Sequence, residues 1–132
     1  MKKLFIISVT AMALGLLMGC SSSSGLSNNP ETKNTNFRIP NEVRTILDNS
    51  CLQCHGDNGK FKPKLKWNFE KMPYMDNAKL ISKLSKIEDV VNNGEMPPKK
   101  YVKKNPSHKL NKEDKQVLSN WASSLAEKIS SK

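Results

Sequence analysis

A chain of 132 residues has room for one small domain and its address signals. It is basic, with 22 Lys and Arg against 12 Asp and Glu and a formal charge of +10. Such an excess can face nucleic acid, an anionic membrane or an acidic protein, and the extracytoplasmic context of the three cysteines excludes nucleic acid.

Residues 1–19 read as a targeting segment. Lys2 and Lys3 form a positive start, and residues 4–18 are an apolar run too short for a comfortable membrane span. The run ends in Leu17-Met18-Gly19-Cys20, which resembles a bacterial lipobox. The resemblance implies that Cys20 takes a lipid and becomes the mature N-terminus. Ordinary signal cleavage, with Cys20 left as a free thiol, is the alternative. Loss of Lys2 and Lys3 leaves the mature chain at about +8. Residues 21–36 hold one large apolar residue, Leu26, too little to offset the entropy of ordering them. They read as a tether, spanning about 20–25 Å, from lipidated Cys20 to a domain at 37–132.

Residues 37–55 are the first ordered element. Pro40 suits an early helical position. Val43, Ile46, Leu47, Ser50 and Cys51 then fall on one stripe at helical spacing, so the helix runs into Cys51-Leu52-Gln53-Cys54-His55. Cys-x-x-Cys-His is the attachment signature of a c-type haem. Cysteines at i and i+3 share a helix face and can form thioethers with two vinyl groups on one porphyrin edge. The histidine that follows can give an imidazole nitrogen to the iron. A Cys51–Cys54 disulfide, a thioredoxin-like dithiol and a zinc site are the competing readings. The dithiol would need a βαβ context, and zinc would need a fourth ligand where His108 is the only other histidine.

Residues 56–66 read as a loop, with Gly56, Gly59 and Pro63 as breakers. Residues 67–74 carry Trp67, Phe69 and Tyr74 without a long period, and Met72-Pro73 interrupts any helix there. Residues 77–93 form a second helix with Leu80, Ile81, Leu84, Ile87, Val90 and Val91 on one stripe, Asn77 able to cap it and Gly94 just past its end. Residues 94–110 read as an extended loop, because Pro97, Pro98 and Pro106 exclude a regular helix through it. Residues 111–130 form the last helix. Asn111 is its N-cap, Glu113 and Asp114 lie in its first turn, and its buried face carries Val117, Leu118, Trp121, Ala122, Leu125 and Ile129. No β pattern or repeat appears, and a core this thin suits a domain stapled by its cofactor.

Met72, Met75, Met96 and His108 could ligate the iron opposite His55. Met72 and Met75 follow the motif closely for a chain that must return over the other haem face. Met96 lies beyond the second helix in a proline-stiffened loop, which makes it the preferred ligand. Together Cys51-Leu52-Gln53-Cys54-His55, Met96-Pro97-Pro98 and the Trp121-Ala122 helix resemble the small bacterial monohaem cytochromes c of class I. Gly94-Glu95-Met96-Pro97-Pro98, Tyr101 and the 110–114 helix start resemble their short envelope haem-binding-domain branch, over about residues 40–128. The resemblance implies an all-α, cytochrome c-like fold of three or four helices around one covalent haem c. It implies a near-perpendicular crossing of the first and last helices. It also implies that the Pro63 carbonyl holds the His55 imidazole.

The function expected is electron carriage in the cell envelope, without catalysis, by a His55/Met96-ligated haem. Lys60, Lys62, Lys64, Lys66, Lys99, Lys100, Lys103, Lys104 and Lys109 would guide an acidic redox partner. The lipid anchor would hold the protein to a membrane, the outer favoured over the inner because Ser21 lacks an acidic retention signal. A gas sensor or peroxidase-like enzyme with a labile sixth ligand is the alternative. Haem delivery is a third reading, which covalent attachment disfavours.

Overall fold

The computed structural model describes residues 33–131. The signal segment, Cys20 and most of the tether lie outside the described residues. The described chain is helical, with α1 (Asn41–Ser50), α2 (Leu52–His55), α3 (Phe61–Lys66), α4 (Asn77–Asn92), α5 (Lys99–Lys104) and α6 (Lys112–Ser130). Short 3-10 helices lie at Phe69–Tyr74 and Pro106–His108. The three long helices expected are α1, α4 and α6. α2 falls at the end of the expected first helix, and the other short helices fall where loops or irregular chain were expected.

α4 and α6 form the principal packed pair. Leu80, Leu84, Ile87 and Val91 of α4 join Leu118, Trp121, Ala122, Leu125 and Ile129 of α6 in one core, each at most 8% exposed. Recurrence at three and four residues puts each set on one helix face. Ser119 Oγ donates to Asn92 Oδ1 at 2.7 Å, which satisfies a buried hydroxyl and ties the middle of α6 to the end of α4. At its start α6 carries a full capping box: Asn111 Oδ1 accepts from the Asp114 amide, and the Asp114 carboxylate accepts from the Asn111 amide. α4 is capped by Asp76, whose carboxylate accepts from the Lys79 amide at 2.8 Å; Asn77, expected as the cap, is its first helical residue. An acceptor on the residue before the first turn reaches the orphan amides, whereas one inside that turn does not.

α1 lays Val43 and Leu47 into this core. It packs against α6. The expected single helix through 55 is broken at Cys51, which leaves the helical basin (φ −120°, ψ −46°) before α2 resumes. The Cys51 amide still donates to Leu47 O at 2.8 Å and His55 to Cys51 O at 2.9 Å, so α2 is a kinked continuation. Order also begins before residue 37. The Asn34 amide donates to Pro73 O at 2.6 Å and its side chain to Asn77 Oδ1 at 3.0 Å.

A row of aromatic rings crosses the domain. Trp121 meets Phe37 edge-on at 6.4 Å, Phe37 meets Phe69 at 6.3 Å, Phe69 meets Trp67 at 6.1 Å and Trp67 meets His55 at 4.7 Å. The Trp121 indole N–H is satisfied by Arg38 O at 3.0 Å. The histidine of the Cys-x-x-Cys-His motif is thereby packed onto the core through side chains with few internal rotations.

Candidate haem site

Local chemistry folds the segment after the motif back onto it. Gly59 donates to Gly56 O at 2.8 Å, and a Cβ on Gly59 would stand 2.4 Å from Cys54 O, so only glycine lets the chain approach this closely. α3 follows, and its last turn brings Trp67 beside His55. His55 Nδ1 lies 3.0 Å from Trp67 O. A carbonyl only accepts, so Nδ1 carries the proton and Nε2 keeps its lone pair for a metal. This corrects the expectation for Pro63. The Pro63 carbonyl accepts from the Trp67 amide at 3.1 Å, closing the short helix, and the imidazole is held four residues later in the chain. A carbonyl spent inside α3 is not aimed at a ring packed beyond its end.

Cys51, Cys54 and His55 open onto one pocket. α4 supplies Ile87, Val90 and Val91 to its wall, and Leu47, Leu110 and Leu118 add to the apolar lining. Met96, Pro97, Pro98 and Tyr101 form the side contributed by residues 94–110. The space is about 550 Å³, open mouth and solvent included. Both thiols are free. Burial, with a smaller contribution from Cys54, pushes the Cys51 thiol up to about 12, so it stays neutral at physiological pH. A redox-active dithiol needs the opposite shift, which disfavours the thioredoxin-like reading. Among the described residues no group of three His, Cys, Asp or Glu is arranged to hold a metal ion, which disfavours the zinc reading.

The end of α4 delivers Met96. Gly94 adopts a left-handed conformation (φ +67°), and the amides of Glu95 and Met96 both donate to Val90 O, at 2.9 and 3.1 Å. Of the four ligand candidates, Met96 lines the pocket at its rim, 36% exposed. Met72 is wholly buried in the core, and Met75 packs against that core. His108 faces Asn49 O through Nδ1 and lies tilted against the Tyr101 ring, with centroids 5.7 Å apart.

Two features of the site lay beyond sequence reasoning. Tyr101 Oη donates to Gln53 Oε1 at 2.7 Å, joining α5 to the motif across the pocket mouth. Burial, and then Cys54, raise the Tyr101 phenol, so it remains a donor. Asn49 Nδ2 donates to Ser107 O at 3.1 Å, beside the His108–Asn49 contact, so residues 101–108 are latched to α1 and α2 at two places. The other feature is Trp67. It lines the pocket, and its indole N–H is buried with no partner in the protein. An open buried donor, two thiols, an imidazole and a thioether around an apolar space fit a porphyrin that brings vinyl groups, iron and carboxylates.

No curated protein and no solved structure matches the chain. A family model described as a haem-binding domain matches residues 62–124, from α3 into the second half of α6. The match starts beyond Cys51–His55 and takes in Met96, so motif and match point to haem from different residues, and together they support a haem-binding domain built on this pocket.

Proposed function

We propose that the protein is a monohaem c-type cytochrome that carries single electrons in the cell envelope and performs no catalysis of its own. The observation that carries this reading is the convergence of Cys51, Cys54 and His55 with Met96 on one apolar pocket. Bound there, haem would supply an iron that changes charge by one electron without a change of ligands. Cys51 and Cys54 would hold it through thioethers, and His55 and Met96 would serve as axial ligands. Trp67 O fixes the imidazole tautomer and the orientation of the ring. Met96 offers a soft thioether, which favours the reduced form and raises the potential. Ile87, Val90, Val91 and Leu118 keep water off the site, which lowers the solvent reorganisation that accompanies a change of charge. Lipidation at Cys20 would tether this carrier to a membrane.

The test is the absorption spectrum, oxidised and reduced, of the domain matured with a haem ligation system, followed by acid–acetone extraction. A low-spin spectrum and retention of haem are expected. Full extraction of haem from the wild type overturns the covalent reading. Fast carbon monoxide binding to the reduced protein would favour a gas-binding or peroxidase-like role. Cys20→Ala should release the protein from membranes with its haem spectrum unchanged.

A further inference from the structure

α3 is folded with its apolar side outward. Phe61 is 72% and Leu65 70% exposed, and Lys62 and Lys66 are exposed beside them. The inward face holds half-buried Pro63 and Lys64, and the Lys64 ammonium donates to Asp57 O at 2.6 Å. A helix in a small domain ordinarily buries its apolar residues and exposes its lysines. Here residues i and i+4 form an apolar pair in solvent, the two most exposed large apolar side chains described. Lys83 reaches in from α4 to donate to Lys66 O at 3.0 Å, adding a cation at the C-terminal end of the patch. The ion pairs among the described residues are Arg44–Asp48 and Asp76–Lys79, so none of these lysines is ion-paired. The patch is continuous with the pocket at both ends. Lys60 lies over the Tyr101 ring at 6.0 Å, and α3 runs directly into Trp67, which holds His55.

We propose that the outward face of α3, with Phe61 and Leu65 at its centre and Lys62, Lys66 and Lys83 around them, is the docking surface for an acidic redox protein. This rests on the electron-carrier reading. Two apolar side chains on a six-residue helix bury too little surface to hold a bilayer or a lasting dimer. Transient electron-transfer complexes need the smallest interfaces known, below about 1,200 Å². The lysines orient an acidic partner before contact, the apolar pair excludes water on contact, and the partner then lies against the rim of the site. Each encounter moves one electron and no proton.

The test uses the haem-loaded protein and reduced plant-type ferredoxin, an acidic iron–sulfur protein, as the donor. In stopped flow, one electron passes from the reduced cluster to the ferric haem. The wild-type rate should fall steeply with salt. Phe61→Ser with Leu65→Ser, and separately Lys62→Glu with Lys66→Glu, should each lower it about tenfold, the second pair also flattening the salt dependence. Reduction by dithionite, a small reagent, and the absorption spectrum should not change in either. An unchanged ferredoxin rate in the Phe61/Leu65 variant overturns the proposal. So does wild-type binding to phosphatidylglycerol vesicles, or concentration-dependent dimerisation, that the variant loses while its ferredoxin rate stays normal. Failure of dithionite to reduce wild-type haem would instead overturn the electron-carrier reading, and the docking surface with it.

Discussion

The α4–α6 pair and the two irregular segments, residues 56–76 and 94–110, divide the labour of this domain. The pair is regular and its buried side chains are almost all apolar. The segments hold short helices, five of the protein's seven prolines, and most of the hydrogen bonds that join distant parts of the chain. The pair supplies one wall of the pocket, yet neither of the proposed axial ligands, His55 and Met96, belongs to it. His55 is the last residue of the short helix α2 and Met96 lies past the end of α4, each positioned by a carbonyl: Trp67 O for the ring and Val90 O for the methionine backbone. Stability comes from repetition, and the site comes from exceptions to it. The comparison predicts two kinds of variant, those that unfold the domain and those that spare the fold and alter the haem.

The largest effect should come from the pocket itself. Cys51→Ala with Cys54→Ala should abolish covalent haem, read as complete loss of the haem stain after denaturation. A domain this small should then be left largely unfolded by circular dichroism, because its core alone is thin. A fully folded haem-free variant would show that the α4–α6 pair suffices without the cofactor. Trp121→Ala attacks the regular region. It removes a ring 7% exposed, its contact with Phe37 and its bond to Arg38 O, and should cost about 3–5 kcal/mol in denaturant unfolding of the haem-loaded protein. A loss below about 1 kcal/mol would refute its place in the core, since that is the scale of a surface change.

Met96→Ala should do the reverse. Its side chain is at the pocket rim, so the fold should survive. The weak near-infrared band that marks methionine sulfur on ferric haem should vanish, the potential should drop, and carbon monoxide should bind the reduced protein. Met72→Ala should keep the band and lose stability, because Met72 is wholly buried. If His108→Ala loses the low-spin spectrum while Met96→Ala keeps it, His108 is the second ligand and the latch through Asn49 opens in the loaded protein.

The same division decides what was legible in the sequence. The stripes of α4 and α6 follow the helical period, and the buried apolar residues all lie on them, with Ile81, Val90 and Val117 half-buried at their edges. Asn111 could be read as a cap because capping is local. The segments could not be read this way. Pro63 was expected to serve His55 because a family pattern places a proline there, but whether a carbonyl is free depends on α3 having closed around it. Three prolines between 97 and 106 forbid one long helix, yet Pro98 sits at the N-terminal boundary of α5 and Pro106 begins the turn after it, positions where the missing amide costs nothing. Tyr101–Gln53 joins residues 48 apart, and no spacing rule announces such a pair. Phe61 and Leu65 lie in a stretch read as a loop, which says nothing of the way they face; in α3 they point outward while Lys64 donates to Asp57 O on the inward side.

The smallest prediction separates two changes of about equal energy. Asn111→Ala removes an N-cap and should cost about 1 kcal/mol. Tyr101→Phe removes one hydroxyl donor and should cost about the same, 0.5–1.5 kcal/mol. They differ in where the loss is felt. Asn111 holds the start of α6, whose packing on α4 is common to every folded form, so its loss should lower the global midpoint and leave the haem pocket closed. Tyr101 spans the pocket mouth from the loop that carries Met96, and the Ser107 and His108 contacts lie farther along the same strap. Its loss should therefore fall on local opening. A bias of 1 kcal/mol raises the open fraction about fivefold. Added imidazole, which must displace Met96 through that opening, should then bind about fivefold faster in Tyr101→Phe and at the wild-type rate in Asn111→Ala. Equal rates in the two variants would mean that the segment and the helix pair open together, and that one cooperative unit holds both the fold and the site.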